Sequence, residues 1–211
     1  LLLASSALPA FIQRFSMLRN RSDAILSIKP EQGFDLSTFV NQREQMTVTD
    51  GVAIIHVNDV LAQGTTPIDR MLGMTDYEQI KSELNQAASN PMVRAAVLKV
   101  NSPGGSAVGA EETASAVYDF RQKKPIVSHL GDYGASAAFF VAAASNAIIS
   151  QSSGMHGSIG TKIQFLDFAK MAEAQGVTPH IITPKSADLK ATGNSMRAPT
   201  DAELAYLQDH V

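Results

Sequence analysis

Short runs of consecutive apolar residues alternate along this chain with segments in which apolar positions recur every three or four residues, starting at Gly51. The run Val52 to Val57 (VAIIHV) is rich in β-branched residues, as expected for a buried strand. Similar runs at Arg94 to Val100 and Pro125 to Leu130 predict two further strands. Because helical spacing separates these runs, the sequence predicts an α/β fold of βαβ units with a largely parallel sheet and flanking helices.

Capping and turn signals set the expected ends of the helices. The segment Thr75 to Glu78 has the spacing of a capping box with Thr75 as N-cap, and Asn90-Pro91 is expected to stop that helix. A glycine turn at Ser102 to Gly105 is predicted to lead into the next helix. A further helix is predicted at Gly134 to Ser145, and Pro199 to Glu203 forms a second capping box.

Residues 1–45 lack this pattern and are predicted to be an N-terminal arm, whereas residues 46–211 are predicted to form one domain. Apolar residues in the arm favour a short amphipathic helix over a targeting segment: Phe11, Ile12, Phe15 and Leu18. No run reaches the ~18 apolar residues that a membrane span needs. Because the last helix has no stop signal at Val211, we expect the chain to continue in a longer precursor or to have been trimmed.

Composition excludes several classes of function. The 211 residues are 45% hydrophobic with a net charge of -3, so the sequence predicts a globular core and no basic surface for nucleic acid. The absence of cysteine excludes disulfides, thiolate zinc sites and a cysteine nucleophile. There is no H-E-x-x-H, G-x-G-x-x-G or Walker lysine, so we expect no metal and no cofactor.

Three segments could carry chemistry. Asn101 to Gly105 (NSPGG) follows a predicted strand, and its glycine N–H groups could stabilise an oxyanion, although a plain turn is the simpler interpretation. Ser136 lies among small residues at another strand-to-helix junction, with the N–H of Ala137 as a second donor, but a serine there is more often a helix N-cap. Lys190 could be a base only if it is neutral near pH 7, and an isolated loop lysine is normally a solvated charge.

Taken together, the order and spacing of these segments resemble the SppA (signal peptide peptidase A) family of serine peptidases, within the ClpP/crotonase superfold. The block Gly157-Ser158-Ile159-Gly160 adds to the resemblance. Lys190 to Asn194 is similar to the phage and prophage branch, the head-maturation proteases. The resemblance covers about Gly51 to Leu207, and it implies ClpP/crotonase-like repeated β-β-α units and a peptidase domain over residues 46–211.

The resemblance also implies the role of each site residue. Ser136 would attack the scissile carbonyl and Lys190 would take its proton, as a Ser–Lys dyad that forms an acyl-enzyme. Gly105 and Ala137 would donate backbone N–H groups to the oxyanion, and Ser158 would orient the lysine.

The expected partners follow from the same family. They are a peptide or protein substrate, capsid, portal or scaffold proteins, and further copies of the chain in a homo-oligomer with sites near subunit interfaces. The expected location is the cytoplasm of an infected or lysogenic bacterium, within a prohead, or a membrane if an N-terminal anchor is missing.

Several alternatives stay open. Lys185 could replace Lys190 as the base, and His156 or His129 could belong to a Ser–His–Asp triad, although a histidine satisfied by a backbone carbonyl is the simpler expectation. Ala138 and the residue before it stand where many family members have glycine, so their methyl groups are expected to narrow the cleft and favour small P1 residues. Other candidate functions are signal-peptide degradation by a host-type SppA, an inactive assembly module, and a crotonase-like acyl-CoA enzyme that would not need Ser136.

Overall fold

The computed structural model describes residues 44–211, except the side chains of Met71 and Asp188, and divides them into two compact units, residues 44–159 and 160–211. The amphipathic helix predicted near Phe11 lies outside the described residues, as does the predicted arm up to residue 43. The assignment of residues 46–211 to one domain stays a prediction.

The first unit alternates strands and helices in chain order. Its elements are β1 (Thr47–Thr49), β2 (Val52–Ala62), α1 (Pro67–Met71), β3 (Met74–Asp76), α2 (Tyr77–Ser89), β4 (Ala95–Gly105), α3 (Ala110–Arg121), β5 (Ile126–Ala135), α4 (Ala137–Ala143), β6 (Ala147–Ser150) and β7 (Met155–Gly157). The second unit contains α5 (Ala169–Ala174), a 3₁₀-helix (Asp188–Ala191) and α6 (Asp201–Gln208).

The strands of the first unit form one sheet in the order β1-β2-β4-β5-β6, with β3 paired to β2 and β7 paired to β5. The pairing of β1 with β2 is antiparallel, and every other pair is parallel. Helices α2, α3 and α4 connect successive parallel strands, as βαβ crossovers require. The predicted α/β class with a largely parallel sheet and flanking helices is confirmed.

The core lies between the helices and one face of this sheet. Alternate residues of the central strands point to that face because strand side chains have a period of two. These residues are fully buried together with apolar residues of α2 and α3: Ile55, Val57, Leu98, Val100, Leu130, Ile80, Leu84, Val117 and Phe120. Burial of one such side chain contributes about 1.5–3 kcal/mol, so this layer holds the strand ends at fixed positions.

Strand β4 differs from its predicted extent. The predicted turn at Ser102 to Gly105 is wrong, because the strand continues through Gly105 and pairs with β2 at Leu61. A Cβ on Gly105 would lie 1.9 Å from the Leu61 carbonyl oxygen, so glycine is needed there for close approach of two strands. The chain turns later, and α3 begins after Gly109, which has a φ of 93°.

The N-cap of α2 also differs from the prediction. Thr75 belongs to β3, where it pairs with Leu61, and the N-cap is Asp76, whose carboxylate accepts the Glu78 N–H at 2.9 Å. The same carboxylate accepts the N–H and the hydroxyl of Thr65 at 2.6 and 2.9 Å. Partial burial raises the pKa of Asp76, but these hydrogen bonds outweigh it and leave the pKa below its usual value.

Helix α6 begins with the predicted capping box, which is confirmed. Thr200 Oγ1 accepts the Glu203 N–H, and the Glu203 carboxylate accepts the Thr200 N–H at 2.8 Å. Arg197 forms a bidentate ion pair with this carboxylate, with one N–O distance of 2.8 Å. The hydrogen bonds from Arg197, then those from Thr200, lower the pKa of Glu203 to about 2.

We expect Glu203→Gln to lower the melting temperature at pH 7 and to have a smaller effect near pH 2. Because the folded pKa lies below that of the unfolded chain, the carboxylate stabilises the fold fully above the unfolded pKa, and this contribution is lost as pH falls toward about 2. Thermal unfolding of both proteins across this pH range checks the expectation. Glu173→Gln, at an exposed glutamate of the same unit, is the control, and an equal effect of both substitutions would contradict it.

Candidate active site

Ser136 is the single residue between the end of β5 and the start of α4. Its backbone has φ 53° and ψ −127°, whereas an N-cap residue normally has extended dihedral angles and accepts a backbone N–H through its side chain. The Ser136 hydroxyl makes no capping hydrogen bond. The N-cap interpretation therefore explains the position of Ser136 but not its strained conformation.

The backbone of Ser136 is held from two directions. Its N–H donates to the Gly157 carbonyl at 2.7 Å, and its own carbonyl accepts the Phe140 N–H at 2.9 Å. Gly157 and Ser158 both have left-handed φ, 103° and 50°. The block Gly157 to Gly160 thus begins at the last residue of β7, whose carbonyl holds the Ser136 N–H.

The glycine-rich end of β4 lies directly against Ser136. A Cβ on Gly104, which has a φ of 94°, would lie 2.7 Å from the Ser136 Cβ and 3.0 Å from the Ala137 backbone nitrogen. Ala137 is the first residue of α4, so its N–H has no partner within the helix. The end of β4, the Ser136 side chain and an N–H that can serve as an oxyanion donor therefore meet at one point.

We expect Gly104→Ala to cost more than about 2 kcal/mol of unfolding free energy, because a left-handed φ and a clash with Ser136 act together. Gly64→Ala is the matched control: Gly64 also has a positive φ, 66°, but a Cβ there would meet nothing within 4 Å. Urea unfolding of both variants separates the two effects. Equal costs would contradict the close approach of β4 to Ser136.

The methyl groups after Ser136 belong to the core. Ala138 is 0% exposed and Ala137 is 8% exposed, and both pack with the buried cluster of the first unit. The expectation that these methyl groups narrow the cleft is wrong for Ala138, because its side chain is fully buried in the core.

Two histidines of the first unit, His156 and His56, have side-chain partners other than Ser136. His156 Nε2 lies 3.0 Å from the Gly131 carbonyl oxygen, which confirms the expectation of a histidine satisfied by a backbone carbonyl. His56 Nδ1 lies 2.6 Å from the Glu44 carboxylate. His129, on β5, is half-buried and pairs in register with Lys99 of β4. Among residues 44–211, no group of three or more His, Asp or Glu side chains could hold a metal ion.

The remaining site candidates are exposed. Ser158 lies in the first unit, whereas Lys185 and Lys190 lie in the second, with Lys190 in the 3₁₀-helix. In the second unit, Thr192 Oγ1 is buried and has no hydrogen-bond partner in the described part of the chain. The roles of Ser158 and the two lysines stay predictions.

Enzymes with a serine nucleophile often hold that serine in a strained turn between a strand and a helix. Ser136 has this position and a left-handed φ, and the glycines at the end of β4 lie beside it. The sequence model of peptidase family S49 matches residues 118–211, which include Ser136 and Lys190. This part of the chain is therefore similar in sequence to peptidase family S49. Among residues 44–211, no helix has the length and apolar character needed to cross a membrane.

Curated relatives share this region. The chain is 34% identical to the head-tail preconnector protein GP5 of Enterobacteria phage P21 over 72% of its length and 30% of that protein. It is 31% identical to the capsid assembly protease C of Escherichia phage lambda, over 72% of this chain and 34% of that one. It is 26% identical to the chloroplastic serine protease SPPA of Arabidopsis thaliana, over 74% and 23%. The chain thus spans about a third or less of each of these relatives.

Solved structures to which the chain shows similarity include an enoyl-CoA hydratase/isomerase family member. The identity is 16%, the alignment covers 77% of this chain and 66% of that chain, and the TM-score is 0.42.

Proposed function

We propose that this chain is a serine endopeptidase that cleaves peptides or unstructured protein segments, with Ser136 as its nucleophile. The observation that carries the proposal is the strained backbone of Ser136, whose hydroxyl caps no helix. Backbone strain costs about 1–3 kcal/mol, and the Ser136 side chain offsets none of it by capping the helix, which points to a functional role for the hydroxyl.

In the proposed mechanism, Lys190 takes the Ser136 hydroxyl proton as the oxygen attacks the scissile carbonyl carbon. The N–H groups of Gly105 and Ala137 donate to the oxyanion that forms. The protonated lysine then gives its proton to the leaving amine, and an acyl-enzyme remains. Water, deprotonated by the same lysine, hydrolyses this ester and restores the serine. Ser158 accepts a hydrogen bond from the lysine and orients it.

The proposed substrates are segments of capsid, portal or scaffold proteins, cleaved in a prohead inside a bacterial cell. The relative from phage lambda is named a capsid assembly protease, and the relative from phage P21 a head-tail preconnector protein, which supports this setting. We also propose that the chain acts as a homo-oligomer with sites near its subunit interfaces. Size measurement in solution tests this, and a strict monomer would contradict it.

The test of the activity is labelling of the assembled protein with a fluorophosphonate, followed by mass spectrometry of the modified peptide. We expect the label on Ser136 and cleavage of an unfolded protein such as reduced casein. Absence of both would support an inactive assembly module of the same fold. Turnover of an acyl-CoA substrate that survives Ser136→Ala would instead support a crotonase-like enzyme.

A further inference from the structure

Ser102 is a completely buried residue of β4, at the level where both neighbouring strand pairings shift register. Between Asn101 and Gly104, two residues of β4 lie opposite the single residue Asp59 of β2. On the other side, the pairing with β5 shifts between Val100 and Ser102. Both ladders that would normally satisfy the backbone of β4 are therefore interrupted at this point.

The hydroxyl of Ser102 makes hydrogen bonds to both strands where the ladders are interrupted. It donates to the Asp59 carbonyl oxygen and accepts the Gly104 N–H at 3.1 Å. Pro103, between the two, has no N–H to offer. Asp59 has a left-handed φ of 58°, so its carbonyl leaves the regular ladder direction and points to the hydroxyl. One buried side chain thus holds the bulge of β4 and the bend of β2 together.

These contacts connect Ser102 to the candidate site. The Gly104 N–H is already bonded to the Ser102 hydroxyl, so the next N–H, that of Gly105, is the one proposed to meet the oxyanion. Gly104 itself touches Ser136, since a methyl group on it would lie 2.7 Å from the Ser136 Cβ. A small rotation of the Gly104 peptide would therefore move the proposed donor relative to the reacting carbonyl.

We infer that Ser102 is a positioning residue for the oxyanion site: its hydroxyl fixes the peptide of Gly104 and so aims the Gly105 N–H at the substrate. The inference rests on the proposed function. Hydrogen-bond donors stabilise a transition state only when they are already placed where the charge develops. In this inference the Ser102 hydroxyl fixes the position of the Gly105 N–H and does not itself contact the substrate.

The test compares Ser102→Ala with Ser128→Ala. Ser128 is also 0% exposed and donates its hydroxyl to a backbone carbonyl at 3.1 Å, but that carbonyl belongs to Ala142 of α4 and not to the end of β4. We expect Ser102→Ala to lower kcat by about 10- to 100-fold with KM within about twofold, since loss of a whole donor costs about 10²–10³. Ser128→Ala should lower the melting temperature and leave kcat unchanged.

A peptide aldehyde gives a second readout, because its adduct with the serine carries an oxygen at the oxyanion position. In Ser102→Ala its affinity should fall by the same factor as kcat/KM, as expected of a transition-state analogue. An unchanged kcat and aldehyde affinity in folded Ser102→Ala, with an active wild type, overturns the inference alone. A wild type that neither cleaves peptides nor binds the aldehyde overturns the proposed function and the inference with it.

Two further variants keep the test decisive if Ser102→Ala does not fold. Ser102→Thr retains the hydroxyl and should keep kcat within about threefold of the wild type. Ser102→Cys replaces it by a weaker hydrogen-bonding group of similar size and should lower kcat by about tenfold. Folded Ser102→Cys with the wild-type kcat would overturn the inference.

Discussion

Ser136→Ala is expected to lower kcat for peptide cleavage by about 10⁶-fold, the order of loss that follows removal of a serine nucleophile. Because the hydroxyl makes no capping hydrogen bond, its removal should change the free energy of unfolding little. The left-handed φ remains, so the strain remains in the alanine variant. Steady-state cleavage of a fluorogenic peptide and urea unfolding measure the two effects.

Ser136→Gly provides the matched comparison. Glycine adopts a φ of 53° without the steric cost that alanine has there, so this variant should be more stable than Ser136→Ala by about 1 kcal/mol and equally inactive. Ser82→Ala, at an exposed serine on α2, should keep full activity. Retained cleavage in Ser136→Ala would contradict the nucleophile assignment, and equal stability of the two Ser136 variants would contradict the strain.

The repeating strands and helices could be predicted because apolar runs and helical spacing are local features of the sequence. The ends of β4 and β5 could not, since Pro103, Gly104 and Gly134 are residues typical of turns. Their pairing with neighbouring strands is a tertiary effect that overrides local preference. Strand pairing also explains why the N-cap of α2 is Asp76 and not the predicted Thr75, since Thr75 pairs with β2 in the sheet.

The candidate site divides in the same way. The position of Ser136 at a strand-to-helix junction followed from the alternating pattern and its small neighbours. Its left-handed φ could not be predicted, because serine rarely adopts such a backbone and the cause lies in distant contacts, the Gly157 carbonyl and the end of β4 at Gly104. The buried hydrogen bond of Ser102 could not be predicted either, because its partner Asp59 is 43 residues away in the chain.

Replacement of Lys190 is the second change with a large expected effect. Lys190→Ala should lower kcat by about 10²- to 10⁴-fold, the usual contribution of a general base, with little change in KM because the proposed role of the base is to accept the serine proton and not to bind substrate. Lys190→Arg should be as inactive as Lys190→Ala, since a guanidinium stays protonated and cannot accept the hydroxyl proton. Kinetics on a fluorogenic peptide measure both.

Lys185→Ala is the control that decides between the two lysines. Both are exposed residues of the second unit, five positions apart, so loss of one positive charge from this unit is common to both variants. Arginine keeps the positive charge of lysine but cannot accept a proton. Substitution by arginine should therefore preserve activity at a lysine that acts through its charge alone and abolish it at the lysine that is the base. If Lys190→Arg is fully active and Lys185→Arg is inactive, the base is Lys185. If both alanine variants are fully active, neither lysine forms a Ser–Lys dyad with Ser136.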